Sequence, residues 1–106
     1  CDEIADLIMA DKRFAEMLIY IAERGHLVGV HIVAASRHLV SKVFSSRLKA
    51  NMPTRICFRI TDKSQSRLVL DTPDATLLSQ QGEMFFSHNL KLTRLQTINV
   101  MDNNGE

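Results

Sequence analysis

The sequence predicts an α/β fold in which helices flank a sheet and the chain ends in an antiparallel hairpin. Three observations predict it. Apolar residues recur at helical spacing near the N-terminus, small and β-branched residues run without a break from Val30 to Ala35, and side chains alternate from Thr93 to Met101. The resulting order of helix, strand, helix, strand, helix and hairpin is that of the second half of an α/β sheet.

The N-terminal third predicts two helices and a central strand. An apolar face from Ile4 to Ile8 indicates a short first helix, and a charged break separates it from a longer helix that ends near Gly25. Gly25 and Gly29 then bracket a predicted loop. The run from Val30 to Ala35 is typical of a strand that is buried on both faces of a parallel sheet, so we expect this strand to be central.

The remaining two thirds predict shorter elements. These are a helix over 41–50, a strand over 55–60, a helix through Leu70, a short helix over 74–79, and hairpin strands over 83–86 and 93–101. Pro53 stops the first of these helices, because proline does not fit a helix interior. Asp62 and Ser64 are candidate caps of the next helix, since their side-chain oxygens accept free backbone N–H groups. Gly82 separates the last helix from the hairpin.

Composition and charge exclude several classes of protein. The 106 residues suit one small domain, 45% of them are apolar, and the formal charge of +1 gives no overall excess of the kind found in nucleic-acid-binding domains. No apolar stretch approaches the roughly 18 residues that span a bilayer, and the acidic N-terminus does not resemble a secretory signal. Cys1 and Cys57 lack CxxC spacing, and the four histidines lack the spacing of metal ligands. We therefore expect a cytoplasmic, reducing location.

Five segments carry motifs in a characteristic order. Residues 2–9 are DEIADLIM, residues 29–36 are GVHIVAAS, residues 49–56 are KANMPTRI, residues 63–71 are KSQSRLVLD, and residues 82–84 are GEM. In sequence and spacing, with almost no gaps, they are similar to DEFADLMM, GIHLVLAT, KANIPTRI, SSKxxSRxxLD and GDM of the FtsK/SpoIIIE DNA translocases. From residue 2 onward the chain thus resembles this family.

The resemblance implies that residues 1–106 form a single, partial RecA-like motor ATPase domain. Such a domain is the C-terminal part of a P-loop ATPase sheet, begins inside the Walker B motif and lacks the Walker A half. The implied cofactors are ATP and Mg²⁺, and the implied partners are double-stranded DNA and further subunits of a homo-oligomeric, hexameric ring. Any tether to the inner membrane would come from regions outside this chain. By itself the segment is expected to be inactive, because the loop amides and the lysine that hold the phosphates are not in it.

The resemblance also assigns roles to individual residues. Asp2 is expected to hold Mg²⁺ through water, and Glu3 to polarise the attacking water as the catalytic residue. Ser36 and Arg37 stand where the family has Thr-Gln and are the expected sensors of the γ-phosphate. Arg67 is the candidate interface arginine, which would reach the nucleotide of a neighbouring subunit. Arg37 in place of Gln indicates a divergent subfamily, and relatives from conjugative or integrative elements fit this description.

A basic segment gives the candidate DNA contacts. Lys42, Arg47 and Lys49 follow Arg37, with no acidic residue between Arg37 and Ala50. We expect Lys42, Arg47 and Lys49 to contact phosphates in the pore of the ring, and a solvent-exposed helix face is the alternative. Two other functions stay open. One is a secretion-system ATPase of the same superfamily that moves protein, and the other is a non-catalytic assembly or interaction module.

Overall fold

The computed structural model describes residues 2–98 and divides the chain into two compact units, one ending at Pro53 and the other beginning at Thr54. The elements are α1 (Ile4–Ala10), α2 (Lys12–Arg24), α3 (Ser46–Ala50), β1 (Thr54–Phe58), α4 (Lys63–Leu70), β2 (Glu83–His88) and β3 (Lys91–Gln96), with 3₁₀ turns at Gly25–Val28 and Asp74–Leu77. Among the described residues no helix has the length and apolar character of a membrane span. The single partial domain over 1–106 stays a prediction.

In the first unit, helices α1 and α2 lie where the apolar spacing predicts them. Helix α2 begins after Asp11, whose carboxylate accepts a hydrogen bond from the backbone N–H of Arg13 at 2.9 Å. The third helix is shorter than the predicted 41–50. The Ser45 hydroxyl accepts the backbone N–H of Leu48 at 3.3 Å, so the helix starts after this cap. The buried core consists of Ile4, Ala5, Ile8, Leu18, Ile19, Val43 and Leu48.

The predicted central strand over Val30 to Ala35 is not a strand within the described residues. Ile32 and Ala34 pack against the core, whereas Val33 is 83% exposed, so the period-two alternation is kept but one side stays open. A β-ladder requires a neighbouring strand on at least one edge, and no strand is assigned in the described part of the first unit. The prediction of burial on both faces is therefore wrong for this structure.

In the second unit, the three strands form an antiparallel sheet in the order β1-β2-β3. The predicted hairpin is confirmed, with Phe86 opposite Thr93 and Met84 opposite Leu95. The end of the predicted last strand, residues 99–101, lies outside the described residues. The antiparallel pairing of β1 with β2 was not predicted, because nothing local links two segments that are about 25 residues apart.

The core of the second unit lies between the sheet and the helical segments. Its buried apolar residues are Cys57, Val69, Leu70, Ala75 and Leu78. Burial raises the pKa of the Cys57 thiol to about 11. A thiol with such a pKa stays protonated at neutral pH, so Cys57 acts as a small apolar side chain of the core.

Helix α4 confirms the predicted cap and adds a buried serine. The Asp62 carboxylate accepts the backbone N–H of Ser64 at 2.8 Å. Four residues after Asp62, the side chain of Ser66 is fully buried. Its hydroxyl donates a hydrogen bond to the Thr72 carbonyl at 2.7 Å and accepts one from the Ala75 N–H at 3.1 Å. Ser66 therefore joins α4 to the 3₁₀ turn that follows it.

Replacing Ser66 with Ala is expected to lower the free energy of unfolding by about 1–3 kcal/mol, because it removes the partner of the buried Ala75 N–H and of the half-buried Thr72 carbonyl. Urea unfolding of this chain measures the loss. Ser64→Ala is the matched control: its exposed hydroxyl donates to the Asp62 carboxylate at 2.7 Å, but water can replace that bond, so the change in stability should be no more than about 0.5 kcal/mol. Equal effects of the two substitutions would show that the Ser66 hydroxyl does not stabilise the turn.

Candidate functional site

The candidate site is centred on the residue that precedes α1. Glu3 has φ 51° and ψ 55°, which is the left-handed region. For a residue with a Cβ this conformation costs about 1–2 kcal/mol, and such strain is concentrated at functional sites. The backbone N–H of Ile4 donates to the Ala35 carbonyl at 2.9 Å. This bond places the start of α1 beside the end of segment 30–35.

The Glu3 carboxylate accepts hydrogen bonds from both residues that follow this segment. Its Oε1 accepts from the Ser36 hydroxyl at 3.1 Å and from the Arg37 backbone N–H at 3.2 Å. Its Oε2 lies 3.5 Å from Nε of Arg37. The structure thus brings Glu3 together with Ser36 and Arg37, two predicted site residues that lie 33 and 34 positions later in the chain.

Asp2, the fourth predicted residue of this site, is next to Glu3 in the sequence but makes no such contact. Asp2 is exposed and has no side-chain partner among residues 2–98. In the same part of the chain no three His, Cys, Asp or Glu side chains come close enough to hold a metal ion. Mg²⁺ bound with a nucleotide needs only one or two protein carboxylates, because phosphate and water supply the other ligands. The exposed carboxylate of Asp2 fits such a donor set, in which one protein carboxylate is enough.

The predicted DNA contacts differ in their surroundings. Lys42 is exposed in the turn that precedes α3 and has no side-chain partner among the described residues. Arg47 forms an ion pair with Glu23 of α2, with 2.9 Å between Nη2 and Oε1, and its side chain stays 68% exposed. Lys49 lies 6.0 Å from the centre of the Phe44 ring. Arg47 and Lys49 are two positions apart on α3, so they do not share one face of the helix.

The second unit contains the predicted interface arginine and an ion pair that sequence reasoning missed. Arg67 is exposed on α4, and its side chain has no partner among residues 2–98. By contrast, Arg55 is largely buried and donates through Nη1 to the Val69 carbonyl at 3.0 Å and to Asp71 at 3.3 Å. A cation at the C-terminal end of a helix is favourable, so this pair stabilises the end of α4.

Glu83, noted in the sequence only as part of the GEM motif, organises the loop before β2. Its Oε1 accepts the backbone N–H groups of Ser79 and Gln80 at 3.0 and 2.8 Å, and its Oε2 pairs with Arg94 at 2.8 Å. The loop lines a cavity of about 370 Å³ with Phe58 and Arg59. The N–H groups of Gln80 and Ser79, followed by Arg94, hold the pKa of Glu83 at about 2 against its usual 4.5.

The lowered pKa of Glu83 predicts a pH dependence of stability. A carboxyl whose pKa is lower in the folded chain stabilises it above pH 4.5, and the contribution is lost as the pH falls towards about 2. The melting temperature of wild type should therefore exceed that of Glu83→Gln at neutral pH, and the difference should shrink between pH 4.5 and about 2. A difference that does not change with pH would contradict the assignment.

Comparison with known proteins decides the family. No family model matches the chain. DNA translocase FtsK 2 of Neisseria meningitidis serogroup A is 38% identical over 86 residues, which are 80% of this chain and 8% of that protein. DNA translocase FtsK of Haemophilus influenzae is 31% identical over 112 residues, covering 95% of this chain and 21% of that protein. The chain belongs to the FtsK/SpoIIIE family. It matches the C-terminal motor region of these FtsK proteins and spans a small part of their length.

Two solved structures are similar to the fold of this chain. The first is the pCW3 conjugation coupling protein TcpA, in its monomer form with ATPγS. It has a TM-score of 0.84, and the match covers 90% of this chain and 30% of that chain. At 24% identity it is evidence for the fold and for nothing else. The cytoplasmic domain of the Thermomonospora curvata type VII secretion ATPase EccC has a TM-score of 0.82 at 31% identity, covering 90% of this chain and 11% of that chain. The two structures confirm the predicted fold class, which is the C-terminal part of a RecA-like sheet with flanking helices and a terminal antiparallel hairpin.

Proposed function

We propose that this segment belongs to an ATP-driven motor that moves double-stranded DNA. The observation that carries the proposal is the meeting of Glu3, Ser36 and Arg37 at the strained start of α1. An acidic side chain beside a hydroxyl at the end of an extended segment suits the hydrolysis of a nucleoside triphosphate. The similarity to the FtsK translocases supports DNA as the cargo.

Each residue of the proposed site has a distinct task. Asp2 holds Mg²⁺ through water, and Glu3 orients and polarises the water that attacks the γ-phosphate. Ser36, and Arg37 beside it, sense that phosphate. Bound Mg²⁺ supplies positive charge that offsets the charge of the phosphates. Arg67 reaches the nucleotide of the next subunit in a homo-oligomeric, hexameric ring, and its exposed position without a partner among residues 2–98 supports this role.

The cargo contact is assigned to the basic segment. Lys42, Arg47 and Lys49 bind the phosphates of duplex DNA, which requires positive charge but no readout of bases. The exposed side chains of Lys42 and Arg47 support this assignment. The motor acts in the cytoplasm, where ATP is supplied, and any membrane tether belongs to other parts of the protein. The presence of Arg37 where the FtsK/SpoIIIE family has Gln favours a motor from a conjugative or integrative element.

The test uses the full-length protein that contains this segment. ATP hydrolysis is measured with Mg²⁺, with and without linear duplex DNA, and the expected result is turnover that DNA stimulates. Duplexes of unrelated sequence should stimulate equally, because phosphate contacts carry no sequence information. The absence of any ATPase activity would indicate a non-catalytic assembly module, and ATPase activity that DNA neither binds nor stimulates would refute DNA as the cargo.

A protein cargo is the second candidate, and the match to EccC, at 31% identity, favours it. A motor of this kind would hydrolyse ATP in response to a polypeptide substrate. In that case duplex DNA would leave the rate unchanged, and neutralising Lys42 and Arg47 would have no effect on DNA affinity. The same assay thus separates the two cargoes.

A further inference from the structure

We propose that Ser36 is a positioning residue, which together with the backbone of Arg37 holds Oε1 of Glu3 and leaves Oε2 to polarise the attacking water. This inference rests on the proposed function and deepens it, because it says how Ser36 responds to the γ-phosphate. Ser36 acts on the phosphate through Glu3 and does not contact it. The observations that carry the inference are the different contacts of the two carboxylate oxygens.

The two oxygens of the Glu3 carboxylate differ in the hydrogen bonds that they accept. Oε1 accepts two, from the Ser36 hydroxyl at 3.1 Å and from the Arg37 backbone N–H at 3.2 Å, which match its two lone pairs. Oε2 accepts no hydrogen bond from residues 2–98, although Nε of Arg37 lies 3.5 Å away. The side chain of Glu3 is 29% exposed, so water can reach it. Oε2 is therefore the oxygen that can accept a hydrogen bond from water.

The main chain places Glu3 where these contacts can form. Glu3 has the left-handed φ of 51°, and the N–H of the next residue, Ile4, donates to the Ala35 carbonyl at 2.9 Å. The two bonds at Oε1 then fix the far end of a side chain that loses considerable rotamer freedom when it is ordered. A general base acts only when it is held within hydrogen-bond reach of the water. The contacts at Oε1 therefore orient Oε2 without occupying it.

The Ser36 hydroxyl shares its one proton between two acceptors, which limits the size of its effect. The His38 carbonyl lies at 2.8 Å and Glu3 Oε1 at 3.1 Å. The Arg37 N–H also remains bonded to Oε1 when the hydroxyl is removed. A net hydrogen bond corresponds to a factor of about 2 to 12 in an equilibrium constant. We therefore expect that loss of the hydroxyl lowers kcat by about three- to tenfold, which is less than the loss expected when the carboxylate itself is replaced.

The experiment measures ATP hydrolysis by the full-length protein with saturating linear duplex DNA, in wild type, Ser36→Ala and Ser36→Thr. Ser36→Ala should lower kcat about three- to tenfold, whereas the KM for ATP and the equilibrium binding of a fluorescent ATP analogue should stay unchanged. Ser36→Thr keeps the hydroxyl and should restore kcat. Ser64→Ala is the matched control, because the Ser64 hydroxyl also donates to a carboxylate, that of Asp62 at 2.7 Å, but takes no part in the proposed site. Its kcat should equal that of wild type.

A double variant, Ser36→Ala with Glu3→Gln, separates the two possible targets of the hydroxyl. It should keep the residual rate of Glu3→Gln, because no carboxylate is left for Ser36 to orient. Weaker binding of the analogue by Ser36→Ala, or a further loss of rate in the double variant, would show that Ser36 contacts the nucleotide. An unchanged kcat of Ser36→Ala would show that the hydroxyl does not orient Glu3. Each of these results overturns the inference while the motor function stands. A wild-type protein without ATPase activity that depends on Glu3 would remove both.

Discussion

Replacing Glu3 with Gln in the full-length protein is expected to stop ATP turnover while nucleotide binding is retained. The amide can still accept hydrogen bonds from Ser36 and from the Arg37 N–H, so the local geometry is kept, but it cannot polarise water as a carboxylate does. The loss of a general base lowers kcat by about 10²- to 10⁴-fold. Steady-state hydrolysis and equilibrium binding of a fluorescent ATP analogue measure the two properties separately.

Two further variants make this result specific. Asp2→Asn should weaken the retention of Mg-ATP, because a neutral amide binds Mg²⁺ less well than a carboxylate. Glu16→Gln, at an exposed position of α2 without a side-chain partner among the described residues, should change neither property. If Glu3→Gln hydrolyses ATP at the wild-type rate, Glu3 has no catalytic role and the proposed site is in the wrong place.

Neutralising Lys42 and Arg47 together is expected to weaken DNA binding and to change its salt dependence. Each phosphate contact contributes about 0.9 to the slope of log affinity against log salt, so the double variant should have a slope smaller by about two. DNA-stimulated ATPase should fall with the affinity, whereas hydrolysis without DNA should stay at the wild-type rate. Titration of labelled duplex DNA at several salt concentrations gives the slope directly.

The ion pair between Arg47 and Glu23 sharpens this prediction. Lys42→Gln alone should flatten the slope by about one, since Lys42 has no competing partner among residues 2–98. Glu23→Gln removes the competing carboxylate from Arg47 and should tighten DNA binding. Lys12→Gln is the control, because it removes the same charge from an exposed lysine of α2 that lies outside the basic segment. An unchanged slope in the double variant would favour a solvent-exposed face and a protein cargo.

Local signals predicted α1, α2 and α4, because their determinants lie within a few residues of each other, whereas the predicted helices over 41–50 and 74–79 are a shorter helix and a 3₁₀ turn. The Asp62 cap and the apolar spacing of α1 and α2 are of this kind. The run from Val30 to Ala35 has the composition of a buried strand. A strand also needs a second strand beside it to form backbone hydrogen bonds, and the composition of one segment does not show whether a second strand is there. The pairing of β1 with β2 depends likewise on contacts between distant segments, which periodicity does not encode.

The candidate site was predicted through motif order, since no periodicity links Glu3 to Ser36 and Arg37. The resemblance named these residues, and the structure added that Arg37 contacts Glu3 itself. Arg55 and Glu83 belong to the matched motifs, but the sequence analysis assigned no role to either residue. Their roles as an ion-pair partner of Asp71 and as the acceptor of two loop N–H groups depend on folded geometry.

The most direct test of the central claim is the displacement of a triplex-forming oligonucleotide from linear duplex DNA by the full-length protein. The proposed function predicts displacement that requires hydrolysable ATP and Mg²⁺, slows with distance between the free end and the triplex, and is lost in Glu3→Gln. Active ATP hydrolysis with no displacement, or displacement by Glu3→Gln at the wild-type rate, would contradict a DNA motor that depends on this site.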